Sequence, residues 1–217
     1  PSMIDLGITQ KWSFSMLERK YDEKLRIRTS GVKELKEKHH NRVEATPYEA
    51  LEVLYRNYTL GEEDQVVDFG CGRGRAMFYI HHHFNVPVTG VEADDETFDE
   101  VLLNKKSYLY DRPDDEPPIS IEYGLAEMYE IKPKDNRFYF FNPFELPIFR
   151  KVVYNILQSV NEHPRTVELI LYYPLSEFKH FLSSRTPFEL INQIPVPRIH
   201  GKYGKFAIYR YDGEKGE

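Results

Sequence analysis

The residues best suited to chemistry lie in one run, Val66-Val67-Asp68-Phe69-Gly70-Cys71-Gly72-Arg73-Gly74-Arg75. It reads as a buried strand that ends on a carboxylate and passes directly into a glycine-rich turn opening a helix. Glycines at 70, 72 and 74 remove Cβ atoms where the chain must turn sharply and admit a ligand against its backbone. The unpaired N–H groups of the next helix would face that ligand. A dinucleotide fingerprint, G-x-G-x-x-G, needs a glycine where Arg75 stands, and no G-x-x-x-x-G-K-[ST] phosphate loop occurs. Asp68 would repel a pyrophosphate. It suits a ligand with a positive charge, such as an amino-acid ammonium.

A second acidic residue follows at a useful distance. Val86-Pro87-Val88-Thr89-Gly90-Val91-Glu92 reads as another buried strand, and Glu92 ends it 24 residues after Asp68. In a βαβ unit, an acid about 20 positions beyond the glycine turn can accept hydrogen bonds from ribose hydroxyls. The neighbouring Asp94 and Asp95 already complement the dipole of the helix they begin, which leaves Glu92 for the ribose.

The third run, Phe138-Tyr139-Phe140-Phe141-Asn142-Pro143-Phe144, is an aromatic strand stopped by proline. Pro143 cannot continue a central strand and biases Asn142 toward an extended backbone. The Asn142 amide is then expected at the carboxyl end of the strand, where open α/β sheets bind ligands.

The D-x-G-x-G-x-G turn resembles motif I of the class I S-adenosylmethionine-dependent methyltransferases. Asn142-Pro143-Phe144 resembles a shortened (Asn/Asp)-Pro-Pro-(Tyr/Phe) motif of those members that act on amino groups; the second proline is missing here. The resemblance implies S-adenosylmethionine as cofactor, held by Asp68, by the loop Gly70, Cys71, Gly72, Gly74 and Arg75, and by Glu92. It also implies that Ala126 and Glu127, just after a third strand, flank the adenine, and that Tyr48 in a preceding helix touches the cofactor. By the same resemblance the Asn142 and Pro143 carbonyls would hold an acceptor NH2 group while the Phe144 ring packs on it. The methyl acceptor implied is an amine, whether a small molecule, a protein side chain or a nucleobase. Two other readings stay open: a nicotinamide-dependent oxidoreductase, and a non-catalytic binding protein that keeps the fold.

These residues need elements to hold them. Thr46-Pro47-Tyr48 marks a helix start, with Thr46 as N-cap and Pro47 in the first turn. Tyr48, Leu51, Leu54 and Tyr55 recur at helical spacing up to about Asn57. Helices are expected over 75–84, 95–110, 146–161 and 176–182, and strands over 119–123, 167–173, 188–196 and 205–211. Alternating β and α segments give a mostly parallel, doubly wound sheet with right-handed crossovers. The expected fold is therefore an α/β sheet of seven strands, one of them antiparallel and contributed by a C-terminal hairpin, preceded by an N-terminal helical segment. The methyltransferase-like domain is expected over 44–217, after a basic extension over 1–43.

The chain has 217 residues and a net charge of −6, which argues against attraction to nucleic acid over the whole surface. That charge is uneven. From Lys11 to Arg42 there are 10 Lys/Arg against 5 Asp/Glu, while from Glu92 to Glu130 there are 3 against 13. The basic stretch could approach an anionic substrate. No apolar run reaches membrane-spanning length, and a single cysteine fits a reducing cytoplasm. His81-His82-His83 point about 100° apart on a helix and cannot converge on one metal; no metal site is expected.

Overall fold

The computed structural model describes residues 16–30, 45–142, 144–197 and 204–213. Along them run α1 (16–25), α2 (Tyr48–Asn57), β1 (Val66–Phe69), α3 (Arg75–Phe84), β2 (Val88–Glu92), α4 (Asp95–Leu109) and β3 (Ile119–Tyr123). A 3-10 turn (Ala126–Met128) leads to β4 (Arg137–Phe140), α5 (Leu146–Glu162), β5 (Thr166–Tyr172), α6 (Ser176–Arg185), β6 (Glu189–Pro195) and β7 (Lys205–Asp212).

The seven strands form one sheet in the order β3-β2-β1-β4-β5-β7-β6. The first five neighbours pair in parallel, and β7 runs antiparallel to both β5 and β6. Alternation along the strands divides the core. Val66, Tyr139, Ile170 and Ile208 face a layer containing α2, α3 and α4. Val67, Phe138, Phe140, Leu169 and Ala207 face α5 and α6. Because both faces are covered, β1 is buried along its whole length and β5 from Val167 onward, and both are mostly apolar apart from Asp68 and Glu168. The strand order reverses between β1 and β4. Ligands of such sheets bind at that point, beyond the carboxyl ends of the strands.

The N-terminal segment is worked into the domain rather than appended to it. Leu25 and Ile27 join the core on the α2–α3 face. Glu18 accepts the Tyr48 N–H at 3.0 Å, and the buried Asp22 carboxylate accepts the Thr29 N–H at 2.8 Å, the Thr29 hydroxyl at 2.7 Å and the Tyr48 hydroxyl at 2.6 Å. Residues 16–30 therefore share the core of the domain; the expected boundary at 43 falls among residues 31–44, which with 1–15 lie outside those described.

Thr46 does not cap α2. Its hydroxyl pairs with the Tyr139 hydroxyl at 2.7 Å, and the helix makes no side-chain cap bond from its N-cap, Pro47. Glu18 supplies the missing acceptor from another helix. At the opposite end of the sheet, buried Glu168 binds Arg210 Nε at 2.8 Å and Nη2 at 2.6 Å and also accepts from the Tyr58 hydroxyl, which ties β5, β7 and the end of α2 together.

Candidate functional site

The glycine turn follows β1 as its spacing requires. Gly70, Gly72 and Gly74 have φ of 69°, 56° and 90°, a region where a Cβ atom is strained. Gly74 is further constrained from outside: a Cβ there would lie 2.4 Å from the Phe78 ring and 2.9 Å from Val101. The Gly70 and Cys71 N–H groups both donate to the Val91 carbonyl, at 2.9 and 3.1 Å. These bonds fasten the turn to the end of β2. Cys71 is buried, and burial together with the nearby Asp68 and Glu92 carboxylates raises its thiol pKa. Such a thiol is a filler in a tight turn rather than a nucleophile.

Two acids stand at the ends of adjacent strands. Asp68 pairs in register with Gly90 of β2 and Tyr139 of β4. It is 3% exposed, and its Oδ2 is buried with no hydrogen-bond partner. Burial first, then the charge of Glu92, raises its pKa to about 7, against the pull of the Met77 N–H in the first turn of α3. Glu92 is better supplied. Its Oε2 accepts the Gly72 N–H at 2.9 Å, and Oε1 accepts the Ala93 and Asp94 N–H groups, each at 2.9 Å. Burial raises its pKa, and those N–H groups oppose the rise.

Past β3, the Gly124 N–H donates to the Glu92 carbonyl at 2.9 Å, so the 3-10 turn begins beside the same strand end. Ala126 is buried in that turn and Glu127 is half-buried, its carbonyl accepting the Asn155 amide at 2.9 Å. Asp68, the glycine turn, Glu92 and the turn holding Ala126 and Glu127 are thus brought to one edge.

Four expectations change. Tyr48 has no exposed surface: its ring stacks on Tyr21 at 4.7 Å and lies under the Arg75 guanidinium at 4.5 Å. A side chain so enclosed packs the core and offers no face to a cofactor. Arg75 is also buried, forming an ion pair with Glu18 and donating from Nε to Thr29 at 2.7 Å, and burial lowers its pKa to about 10. It anchors α1 to the first turn of α3. Asn142 is not extended. Its φ is 41°, a left-handed conformation that asparagine tolerates better than most residues, and its Nδ2 donates to the Tyr173 carbonyl at 2.9 Å. Phe144 is 3% exposed, edge-on to Phe140 at 6.2 Å within the α5–α6 core, so its ring presents no stacking surface. Pro143 lies outside the described residues.

The partners missing from the sequence reading are Glu18, Asp22 and Tyr173. Glu18 and Tyr173 meet their partners 30 or more positions away, and Asp22 joins nearby Thr29 to the distant Tyr48, with no local pattern to announce it. The three histidines serve structure: His81 bonds the Tyr108 hydroxyl and the Pro117 carbonyl, both at 2.7 Å, and His83 stacks on Tyr79 at 3.9 Å.

No protein-family model and no curated protein matches this chain. Solved structures do. A protein from Pyrococcus horikoshii assigned as an RNA methyltransferase aligns over 90% of this chain and 95% of its own, with 20% identity and a TM-score of 0.52. A methyltransferase from Pyrococcus furiosus aligns over 82% of this chain and 88% of its own, with 15% identity and a TM-score of 0.56. This chain has the class I methyltransferase fold. A third example, the tRNA (uracil-54, C5)-methyltransferase of Pyrococcus abyssi solved with S-adenosyl-L-homocysteine, covers 76% of this chain at 10% identity and a TM-score of 0.50. The chain spans 38% of that larger protein. The methyltransferase fold accounts for the position of the glycine turn and of Glu92, both at the carboxyl edge beside the reversal of strand order.

Proposed function

We propose that this protein is an S-adenosylmethionine-dependent methyltransferase. The observation that carries the reading is Asp68: a buried carboxylate oxygen without a partner, beside a turn of three glycines in left-handed conformation. An unpartnered buried polar atom is costly unless a ligand group meets it, and an amino-acid ammonium is the group that suits a carboxylate. Glu92 would hold the ribose. A carboxylate offers about four acceptor positions, of which three are used by backbone N–H groups, so capacity for a hydroxyl remains. Backbone from Gly70 to Gly74 would lie along the cofactor, and Ala126 and Glu127 beside its adenine.

When bound, S-adenosylmethionine would supply a methyl group activated by the positive charge on sulfur. The protein's share is then mainly orientation, which can lower a barrier by ~7–11 kcal/mol without a strong acid or base. Asn142, just past the end of β4 across the reversal point from Asp68, would orient an acceptor through its side-chain amide oxygen, which suits an amino nitrogen, while its Nδ2 is held by the Tyr173 carbonyl. With Phe144 in the core, the acceptor's flat face would have to rest elsewhere. The buried Cys71 thiol fits a reducing, cytoplasmic setting, and no described helix is long and apolar enough to cross a membrane.

Calorimetry tests the cofactor. S-adenosylmethionine should bind the purified chain and NADH should not; the reverse result would favour the oxidoreductase reading. Incubation of a lysate with radiolabelled cofactor then tests transfer. Label appearing in an amine-bearing product supports nitrogen as acceptor, and binding without any transfer supports the non-catalytic reading.

A further inference from the structure

A cleft of about 760 Å³ opens between α1, the segment after it, and α4, reaching Arg73 of the glycine turn. Four arginines line it, Arg19, Arg26, Arg28 and Arg73, against three acids, Asp22, Glu23 and Glu100. The floor is fixed by Asn104, a buried residue of α4. Its amide donates to the Arg28 carbonyl at 3.1 Å and the Arg73 carbonyl at 2.9 Å, and it accepts the Arg28 N–H at 2.9 Å. The backbones carrying two of the arginines are therefore held rigidly beside each other.

The surface is more basic than its sequence suggests, because folding sorts the charges. In residues 16–30 the acids Glu18 and Asp22 turn inward, where Arg75, Thr29 and Tyr48 satisfy them. The outward residues are Arg19, Lys20, Lys24, Arg26 and Arg28 against Glu23. Two exposed ion pairs border the cleft, Arg19 with Glu23 and Arg26 with Asp111; Arg73 is more enclosed, pairing with Glu100 at 2.8 Å and donating to the Ser30 carbonyl at 3.1 Å. Exposed pairs are weak in water and exchange readily for a phosphate, which a guanidinium grips with two parallel hydrogen bonds. Arg28, Lys20 and Lys24 have no carboxylate partner among the described residues. At the rim, Tyr110 is 79% exposed with the Arg26 guanidinium over its ring at 5.6 Å. Phosphate-gripping arginines beside an exposed aromatic face are the elements of a surface for unpaired bases and their backbone.

We propose that this cleft binds the phosphate backbone of a single-stranded nucleic acid. The inference rests on the methyltransferase reading only in making that nucleic acid the methyl acceptor; the connection is Arg73, which lies within the glycine turn expected to hold the cofactor and also lines the cleft. A strand anchored here would be tethered beside the cofactor loop.

The test uses the full chain and a fluorescein-labelled, mixed-sequence RNA of about 20 nucleotides, read by anisotropy between about 50 and about 200 mM salt. The parent should bind, with affinity falling steeply as salt rises. The Arg19→Glu/Arg28→Glu variant should bind about tenfold more weakly or worse, since each reversal removes a phosphate contact and adds repulsion. Both residues are exposed, so circular dichroism should match the parent. Lys151→Glu, an equal reversal on α5 across the sheet, should bind RNA within about twofold of the parent. Absence of RNA binding by the parent, or an equal loss in Lys151→Glu, overturns the proposal. Competition by poly-L-glutamate as strong as by unlabelled RNA overturns it in favour of an acidic polypeptide. Cofactor affinity of the double variant, measured by calorimetry, keeps the two readings apart. RNA binding by a parent that ignores S-adenosylmethionine sinks the methyltransferase reading alone, and the converse sinks the cleft alone.

Discussion

Glu92 accepts the backbone N–H of Gly72 at 2.9 Å, so the side chain that ends β2 holds the glycine turn that follows β1. Its other oxygen accepts the Ala93 and Asp94 N–H groups. A residue expected to meet the ribose is therefore also a strut that fixes the loop before any ligand arrives. Preorganisation of this kind reduces the ordering that binding would otherwise require.

Glu92→Ala removes the proposed ribose acceptor and strips three N–H groups of their partner. The expected loss in affinity for S-adenosylmethionine is about 1–3 kcal/mol, roughly 5- to 150-fold. In Glu92→Gln an amide nitrogen faces backbone donors, so affinity should fall between the parent and the alanine variant. Calorimetry on all three proteins checks this, and parent-like binding by Glu92→Ala would remove Glu92 from the pocket.

Gly74→Ala combines two penalties. Its φ of 90° disfavours any side chain, and the new Cβ would meet Phe78 and Val101 inside contact distance. A left-handed residue costs about 1–2 kcal/mol and overpacking about 1–3, so urea unfolding should show a loss of about 2–5 kcal/mol. A variant as stable as the parent would mean that the start of α3 can shift without penalty.

Much of the fold was legible because its signals are local. Apolar runs in β1 and β5, proline and acid at helix starts, and three glycines at alternate positions each dictate a conformation within a few residues. Alternation of strands and helices then gives a mostly parallel sheet covered on both faces. Tyr48, Arg75 and Phe144 depart from expectation for the opposite reason. Whether an aromatic or a guanidinium faces a ligand or the core depends on distant partners. Glu18, 57 positions before Arg75, settles that residue's role, and α5 packing on β4 settles that of Phe144. Asn142 was misjudged in conformation. The bias from a following proline is weaker than the pull of the Tyr173 carbonyl and the turn it closes.

The raised pKa of Asp68 makes stability and binding depend on pH in opposite senses. Its carboxyl in the folded chain titrates near 7, well above its value in the unfolded chain. The folded state therefore binds the proton more tightly, and stability falls as pH rises from about 4 to about 7. Asp68→Asn should abolish that fall, becoming more stable than the parent at pH 8 while matching it near pH 4. A ligand ammonium would favour the charged carboxylate, so S-adenosylmethionine should bind more tightly at pH 7 than at pH 5.5, with a proton released on binding at the lower pH; near pH 8 the ligand's own α-amino group begins to lose its charge. Thermal melts and calorimetry in buffers of different ionisation enthalpy measure both. Equal pH slopes in parent and variant would show that Asp68 does not titrate in this range.

The Glu18–Arg75 pair should behave as a buried ion pair does. Removing one partner, as in Arg75→Met, leaves a buried charge and should cost about 3–5 kcal/mol. Glu18→Met/Arg75→Met should recover part of that loss, because neither charge is then stranded, although the Tyr48 N–H loses the acceptor that Glu18 provides. Chemical denaturation of the single and double variants gives the coupling directly. Limited proteolysis should cleave near α1 sooner in the single variant, since the pair fastens that helix to α3.

Asn142 offers a way to separate shape from chemistry. Its left-handed φ of 41° favours glycine as a replacement, whereas alanine keeps the strain and both lose the bond to Tyr173. Asn142→Ala should therefore be less stable than Asn142→Gly by about 1 kcal/mol. If Asn142 only closes a turn, transfer activity should follow stability, and the glycine variant should retain most of it. If its amide orients the acceptor, both variants should bind S-adenosylmethionine within a few-fold of the parent yet lose turnover to the same degree, because the contact matters chiefly in the transition state. Turnover measured with whichever acceptor the labelled lysate yields decides between them. Near-parent turnover in Asn142→Gly would exclude the amide from acceptor positioning and leave oxygen or carbon acceptors as the better prospects.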